Sequence, residues 1–175
     1  TFFSYLSGTT ADTTVVASGR HYRVSPQAYY YAGPVGVMAE FASSTQDVRR
    51  GAEVARLTNQ AWQATASYVL FGGKASYEGL KPYTPVNPAE GHWGAVELVG
   101  RYSSLKVDPK AFPLFADPTR SASAARSWGL GAHWYLSGNA RITFTGERTA
   151  FTGGAAEGAS RPTEIAFFNR VQVAF

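Results

Sequence analysis

Apolar and polar residues alternate along most of this chain with a period of two, the spacing of a β-strand wet on one side only. The last stretch does so most clearly, with Ile165, Phe167, Val171, Val173 and Phe175 on one face and Glu164, Arg170 and Gln172 on the other. From about Arg20 to Ala32, Tyr22, Val24, Ala28 and Tyr30 share a face opposite His21, Arg23, Ser25, Gln27 and Tyr29. Pro26 falls inside that run and predicts a bulge or an edge, because it cannot donate a ladder hydrogen bond. The third strand sets Val35, Val37, Ala39 and Phe41 against Gly36, Met38 and Glu40, and the fourth sets Trp62, Ala64, Ala66, Tyr68 and Leu70 against Gln63, Thr65 and Ser67. The fifth carries Val96, Leu98, Gly100 and Tyr102 against Glu97, Arg101 and Ser103. In the sixth, Trp128, Leu130, Ala132 and Trp134 alternate with Ser127, Gly129, Gly131, His133 and Tyr135, and in the seventh Ile142 and Phe144 alternate with Arg141, Thr143, Thr145 and Glu147. Counting Thr1 to Leu6 as the end of a strand, this predicts eight strands.

Between them, Gly33-Pro34 and Ser137-Gly138-Asn139 read as short turns. Ser7 to Ser18, Thr45 to Glu53, Asp108 to Ala125 and Thr152 to Ser160 read as polar or glycine- and proline-rich loops. Short turns at one end and long loops at the other mark bacterial outer-membrane barrels. The irregular connection Lys74 to Gly91, with Pro82, Pro85 and Pro88, departs from this, since strand parity puts it at the short-turn end.

Composition sharpens the choice between lipid and a soluble core. Only 16% of residues are charged, against about 25% in ordinary soluble proteins. A soluble sheet covers its outer face with charge, whereas here the polar faces are mostly Ser, Thr, Gly, Gln and Tyr with a few ions, which suits a watery lumen. Among the strand positions named so far, the only exceptions on the apolar faces are Asn169 and Arg148. Arg148 lies toward the long-loop end, where headgroups or lipopolysaccharide phosphates would pair with it. Tyr22, Tyr30, Trp62, Tyr68, Tyr102, Trp128, Trp134 and Phe175 fall near strand ends, as aromatic girdles do. No apolar run approaches the roughly 20 residues of a membrane-crossing helix, so strands must do any crossing. The expected fold is all-β: an antiparallel transmembrane β-barrel with about eight strands present, residues 1–175 forming one barrel segment with no second domain. Thr1-Phe2-Phe3-Ser4 lacks the features of a signal peptide, so the chain is expected to be a processed or incomplete piece of a bacterial outer-membrane protein.

Other chemistry is poorly supported. The formal charge of +4 comes from scattered cations with no basic run, so no nucleic-acid partner is expected. The absence of cysteine excludes disulfides and thiolate metal sites. His21, His92 and His133 are far apart, with only the first and last on the lumen side, and no nucleophile elbow or P-loop spacing occurs. Neither an enzyme nor a cofactor or metal is expected.

Specific blocks resemble the phosphate-selective porin O and P family. They are Ser25-Pro26-Gln27-Ala28-Tyr29-Tyr30-Tyr31 with Gly33-Pro34, and the run from Trp93 to Ser103, Trp-Gly-Ala-Val-Glu-Leu-Val-Gly-Arg-Tyr-Ser. Ala111-Phe112-Pro113, Phe115-Ala116-Asp117-Pro118, Trp128-Gly129-Leu130-Gly131, Trp134-Tyr135-Leu136 and the final Arg170 to Phe175 belong with them. The resemblance implies the C-terminal half of a sixteen-stranded, homotrimeric porin whose N-terminal half is missing here. It also implies passive diffusion of inorganic anions such as phosphate or polyphosphate along a ladder of cations. By alternation, the candidates for that path are Arg23, Arg101, Arg141 and Arg170. Glu40, Glu97, Glu147 and Glu164 share their face, so cross-strand ion pairs that stiffen the wall are an equally open reading. A small closed barrel that conducts nothing and a soluble ligand-binding β-domain are the alternatives to a channel.

Overall fold

The computed structural model of the chain describes residues 1–174. Its strands are β1 (Val16–Val24), β2 (Gln27–Ala32), β3 (Val35–Arg50), β4 (Glu53–Phe71), β5 (Ala95–Lys106), β6 (Ala122–Tyr135), β7 (Ala140–Gly153) and β8 (Glu164–Val173). They form one antiparallel sheet in the order β1-β3-β4-β5-β6-β7-β8, with β2 also on β3. The sheet does not close: the outer edges of β8 and of the β1/β2 row have no neighbouring strand among the described residues.

Four expectations are corrected in detail. Thr1 to Leu6 joins no sheet. The count of eight is reached because the strand expected over Arg20 to Ala32 is two, β1 and β2, lying end to end along β3. Pro26 sits in the break and its carbonyl accepts from Phe41 N–H at 3.1 Å, so the residue that cannot donate lies on the outermost row, where no donor is needed. The loop expected over Thr45 to Glu53 is instead strand: β3 and β4 pair without interruption from Val35↔Tyr68 to Arg50↔Glu53. The polar composition that suggested a loop there belongs to cross-strand polar pairs such as Thr45 with Thr58 and Asp47 with Arg56, while the ladder continues beneath. The long connection at that end is therefore a tight turn, and the roughly twenty-residue connection lies at the opposite end, after Phe71. β6 likewise begins at Ala122, inside the loop expected to end at Ala125.

β3 and β4 run for 16 and 19 residues, well beyond the roughly 9–11 that a membrane-crossing strand needs. Their polarity inverts partway. Up to Phe41 and Trp62 one face carries Val35, Val37, Ala39, Tyr68, Ala66 and Ala64. Beyond them the same face carries Ser43 opposite Gln60, Thr45 opposite Thr58 and Asp47 opposite Arg56. Thr45 and Thr58 share a hydroxyl hydrogen bond of 2.9 Å and Arg56 Nε donates to Asp47 Oδ1 at 2.7 Å. On the reverse face the change is opposite: beyond Glu40 and Gln63 lie Val48 and Leu57, which are buried at 2% and 1% exposure.

Those two residues centre a core with Val107, Ala111, Phe115 and Ala116 from the segment between β5 and β6, and Phe2, Phe3 and Tyr5 pack against it. A second, smaller core at the other end of the same face joins Leu80, from the segment between β4 and β5, to Val69, Ala95 and Tyr135. Among the described residues nothing comparable covers the apolar face. Phe167 is 80% exposed, Val171 72%, Leu130 64%, Tyr68 51% and Trp62 46%.

Candidate functional site

The polar face is bounded at both ends by chain folded over it, and the ladder explains why each segment stays there. At the β3–β4 turn end, β4 extends past its pairing with β5, which stops at Gln60↔Lys106. Asp108 takes over that edge: its carboxylate accepts from Thr58 N–H at 2.8 Å and its own N–H donates to Asn59 Oδ1 at 3.0 Å. Arg50 then reaches across, donating from Nη1 to Leu114 O at 2.8 Å and from Nε to Thr13 O at 3.3 Å. Leu6 N–H donates to Phe115 O and Ala122 N–H to Phe2 O, laying the first residues against residues 115–122. Asp117 caps the bend, accepting from the N–H and hydroxyl of Thr119, which together hold its carboxyl below the usual carboxylate range.

At the opposite end, residues 72–94 cross the sheet from β2 to β7. Tyr77 stacks on Tyr29 with ring centroids 4.5 Å apart and meets Tyr31 edge-on at 6.3 Å. Tyr31 lies over Gly36, where a Cβ would come within 2.6 Å of its ring. The strap closes on itself at Gly72, whose φ is 79° and where a Cβ would sit 1.9 Å from Gly94 O. Only glycine fits such an approach at that φ.

Between these segments the polar face forms two adjoining clefts, of about 330 and 260 Å³, which share Arg101, Ser103 and Ser127. Gly129 and Gly131 leave the second one open where side chains would otherwise meet.

All four candidate arginines lie on this face, and the register spreads them along it. Arg23 pairs with Ser44, which pairs with Asn59. Arg101 pairs with Thr65, six residues further along β4, and on its other side with Gly129. Arg141 pairs with Tyr135, six residues further along β6. Each step is about 20 Å of strand. Arg170, opposite Thr143, is diagonal to Arg141, about 7–8 Å away. The structure therefore brings Arg141 and Arg170 together and keeps Arg23 and Arg101 apart from them and from each other.

Among the described residues, none of the four forms an ion pair with Glu40, Glu97, Glu147 or Glu164. The carboxylates have other partners. Glu40 accepts from Ser25 Oγ at 2.7 Å and Gln63 Nε2 at 2.9 Å. Glu147 accepts from Ser127, whose hydroxyl also accepts from Thr149. Glu164 pairs with Arg161 at 3.1 Å. Glu97, 9% exposed, accepts from Tyr135 Oη at 2.9 Å, and His133 Nδ1 lies 3.4 Å from the same oxygen without hydrogen-bond alignment. Arg141 donates to Gln172 Oε1 from Nε at 3.2 Å and Nη2 at 3.0 Å, and stands 5.9 Å from the Tyr135 ring centre. Arg23, Arg101 and Arg170 make no side-chain hydrogen bond to a described residue and are exposed. Cross-strand pairing of these cations with the carboxylates of their own face is thus absent here.

Two further residues belong to the site. Lys81 lines a cleft of about 220 Å³ with Arg141 and Gln172, and Arg50 holds the folded-in segment at the other end. Period-two continuity through Thr45 to Glu53 marks Arg50 as a strand residue on the polar face, although its polar neighbours hide this. Nothing local marks Lys81, because an irregular connection has no period from which to read direction.

No group of three or more His, Cys, Asp or Glu side chains among the described residues is placed to hold a metal ion. No curated protein matches the chain. The sequence model of the family described as phosphate-selective porin O and P matches residues 6–147, a span that includes Arg23, Arg101 and Arg141 and leaves β8 and Arg170 outside it. With most of its length matched, and the family being one of channels and not of enzymes, the chain belongs to the phosphate-selective porin O and P family.

Proposed function

We propose that this chain forms part of the wall of an outer-membrane β-barrel that passes anions such as phosphate, with its apolar face on lipid and its polar face on a water-filled lumen. The observation that carries the reading is the pairing of the two faces. One is apolar and uncovered from β2 to β8. The other holds exposed arginines whose neighbouring carboxylates are already engaged.

Magnitude favours lipid over water for the first face. Seven rows about 4.8 Å apart, with about 20 Å of strand between the aromatic levels, project to on the order of 600 Å². That is the upper limit of the apolar patch a soluble monomer exposes. Trp62, Tyr102 and Trp128 mark one level, and Tyr68 and Trp134 the other, six residues away along their strands. Both positions suit the interfacial girdles of a barrel.

For the second face, an anion moving from Arg23 past Arg101 to Arg141 and Arg170 meets cations in steps of about 20 Å. In bulk saline a charge is felt over about 8 Å, so each arginine acts separately unless low-dielectric walls focus its field. The folded-in segments supply such walls at both ends. Open sheet edges at β8 and β1/β2 fit continuation into further strands of the complete porin, because an unpaired edge is not tolerated in lipid.

The test is the reversal potential of the complete porin across a planar bilayer in a salt gradient. It should shift toward the anion, and R23Q/R101Q/R170Q should lower the anion preference by roughly tenfold. Cation preference in the unmodified porin would contradict the reading.

A further inference from the structure

Three cations stand on the outward face and take no part in the ion path. Alternation places Lys106 on β5, Arg126 on β6 and Arg148 on β7 on the same side as Tyr102, Trp128 and Leu130. All three are exposed, and none forms an ion pair among the described residues. Along this face β5 to β8 carry these three cations and no carboxylate.

Their spacing is regular. Arg148 lies directly opposite Trp128, and Arg126 is two residues from Trp128 toward the segment 107–121. Arg126 lies opposite Ser104, and Lys106 is two residues from Ser104 in the same direction. Each cation is therefore the diagonal neighbour of the next, about 7–8 Å away. The row begins at the aromatic level and climbs away from the apolar belt, where a charge costs little compared with the midplane.

We propose that the end of the sheet bearing the 107–121 and 154–163 connections faces the cell exterior, and that Lys106, Arg126 and Arg148 there form a binding site for the phosphorylated diglucosamine head group of lipopolysaccharide. The inference rests on the membrane reading above and adds a lipid site to it. Two arginines at diagonal positions offer bidentate donors to phosphate oxygens, and the lysine supplies a further point charge. Trp128 and Tyr102, beside Arg148 and Arg126, present the apolar and hydrogen-bonding surface that a sugar and the start of an acyl chain need. Three cations in steps of this length match a head group with two separated phosphates, which a single-phosphate lipid does not span.

The complete porin is refolded into phosphatidylcholine vesicles containing a small fraction of bisphosphorylated lipid A. Insertion is checked first by heat-modifiable gel mobility, and lipid A retained by the extracted barrel is then measured. The unmodified porin should retain it, and K106Q/R126Q/R148Q should retain on the order of a hundredfold less, about fivefold for each cation. Dephosphorylated lipid A should be retained no better by the unmodified porin than by the triple variant. Equal retention of lipid A by the two proteins, or equal retention of the phosphorylated and dephosphorylated lipids, would overturn the site. Should the triple variant not insert, R126Q alone must show the fivefold loss. A porin that enters no vesicle at all contradicts the membrane reading itself, and that result is scored before lipid A is measured.

Discussion

The two halves of the β3–β4 hairpin share one ladder and one period but present opposite surfaces. Below Phe41 and Trp62 the outer side is Val37, Ala66 and Tyr68, and the inner side is Glu40, Gln63 and Thr65. Above them the outer side is Thr45, Thr58, Asp47 and Arg56, and the inner side is Val48 and Leu57 under Phe115. The backbone does the same thing in both halves, so secondary structure cannot explain the difference. On the proposed membrane reading, what changes is the medium: hydrocarbon outside and water inside below, and a folded-in core inside above. On that reading the level at which the polarity inverts marks the membrane boundary on a strand that runs past it.

The comparison breaks most severely in the upper half's core. Leu57→Ala removes the most buried large side chain, at 1% exposure, and should cost about 2–5 kcal/mol. Hydrogen exchange in residues 107–121 should accelerate strongly while β6 and β7 near Leu130 remain protected. Uniform exchange across both halves would show that they are not separable.

The apolar face that the lower half shares with β6 is tested by a charge of the kind the upper half already carries. Leu130 is 64% exposed, so in a water-soluble protein Leu130→Arg should change stability by no more than about 0.5 kcal/mol. Facing lipid near the middle of the apolar belt, it should cost about 2–4 kcal/mol in bilayer refolding.

The smallest effect sharpens the contrast. Asp47→Ala removes the half-buried partner of Arg56, whose own side chain is 59% exposed, and should lower stability only slightly, by an amount that fades in high salt. A loss of several kcal/mol would mean that this pair sits in lipid and that the boundary is drawn too low.

Much of this was legible in the chain because a period of two survives wherever one face is greasy. The faces of Val35 to Phe41, Trp62 to Leu70 and Ser127 to Tyr135 are as their alternation predicts. Thr45 to Glu53 was not legible as strand because Thr45, Asp47 and Arg49 on one side and Gln46, Val48 and Arg50 on the other look, in one dimension, like a loop with a stray apolar residue. Pro26 signalled a bulge or an edge through its missing donor, and it falls in the break between β1 and β2 on the outermost described row. The positions of Arg23, Arg101, Arg141 and Arg170 on one face follow from spacing alone. Their separation into levels follows from register, which no single strand reveals, and the engagement of Glu97 by Tyr135 and of Glu147 by Ser127 depends on neighbouring strands. The folded-in segments 72–94 and 107–121 have no period and owe their positions to contacts such as Tyr77 on Tyr29 and Asp108 on Thr58.

The most direct measurement places a single tryptophan at Phe144, in the complete porin with its other tryptophans replaced by phenylalanine, and reconstitutes it into bilayers whose acyl chains carry bromine. Phe144 is 52% exposed on the apolar face, between the aromatic levels, two residues from that of Trp134 and four from that of Trp128. Its fluorescence should be strongly quenched by bromine near the chain ends and left unchanged by iodide in the water. Quenching by iodide with no effect of the brominated chains would contradict the account, because that face would then meet water.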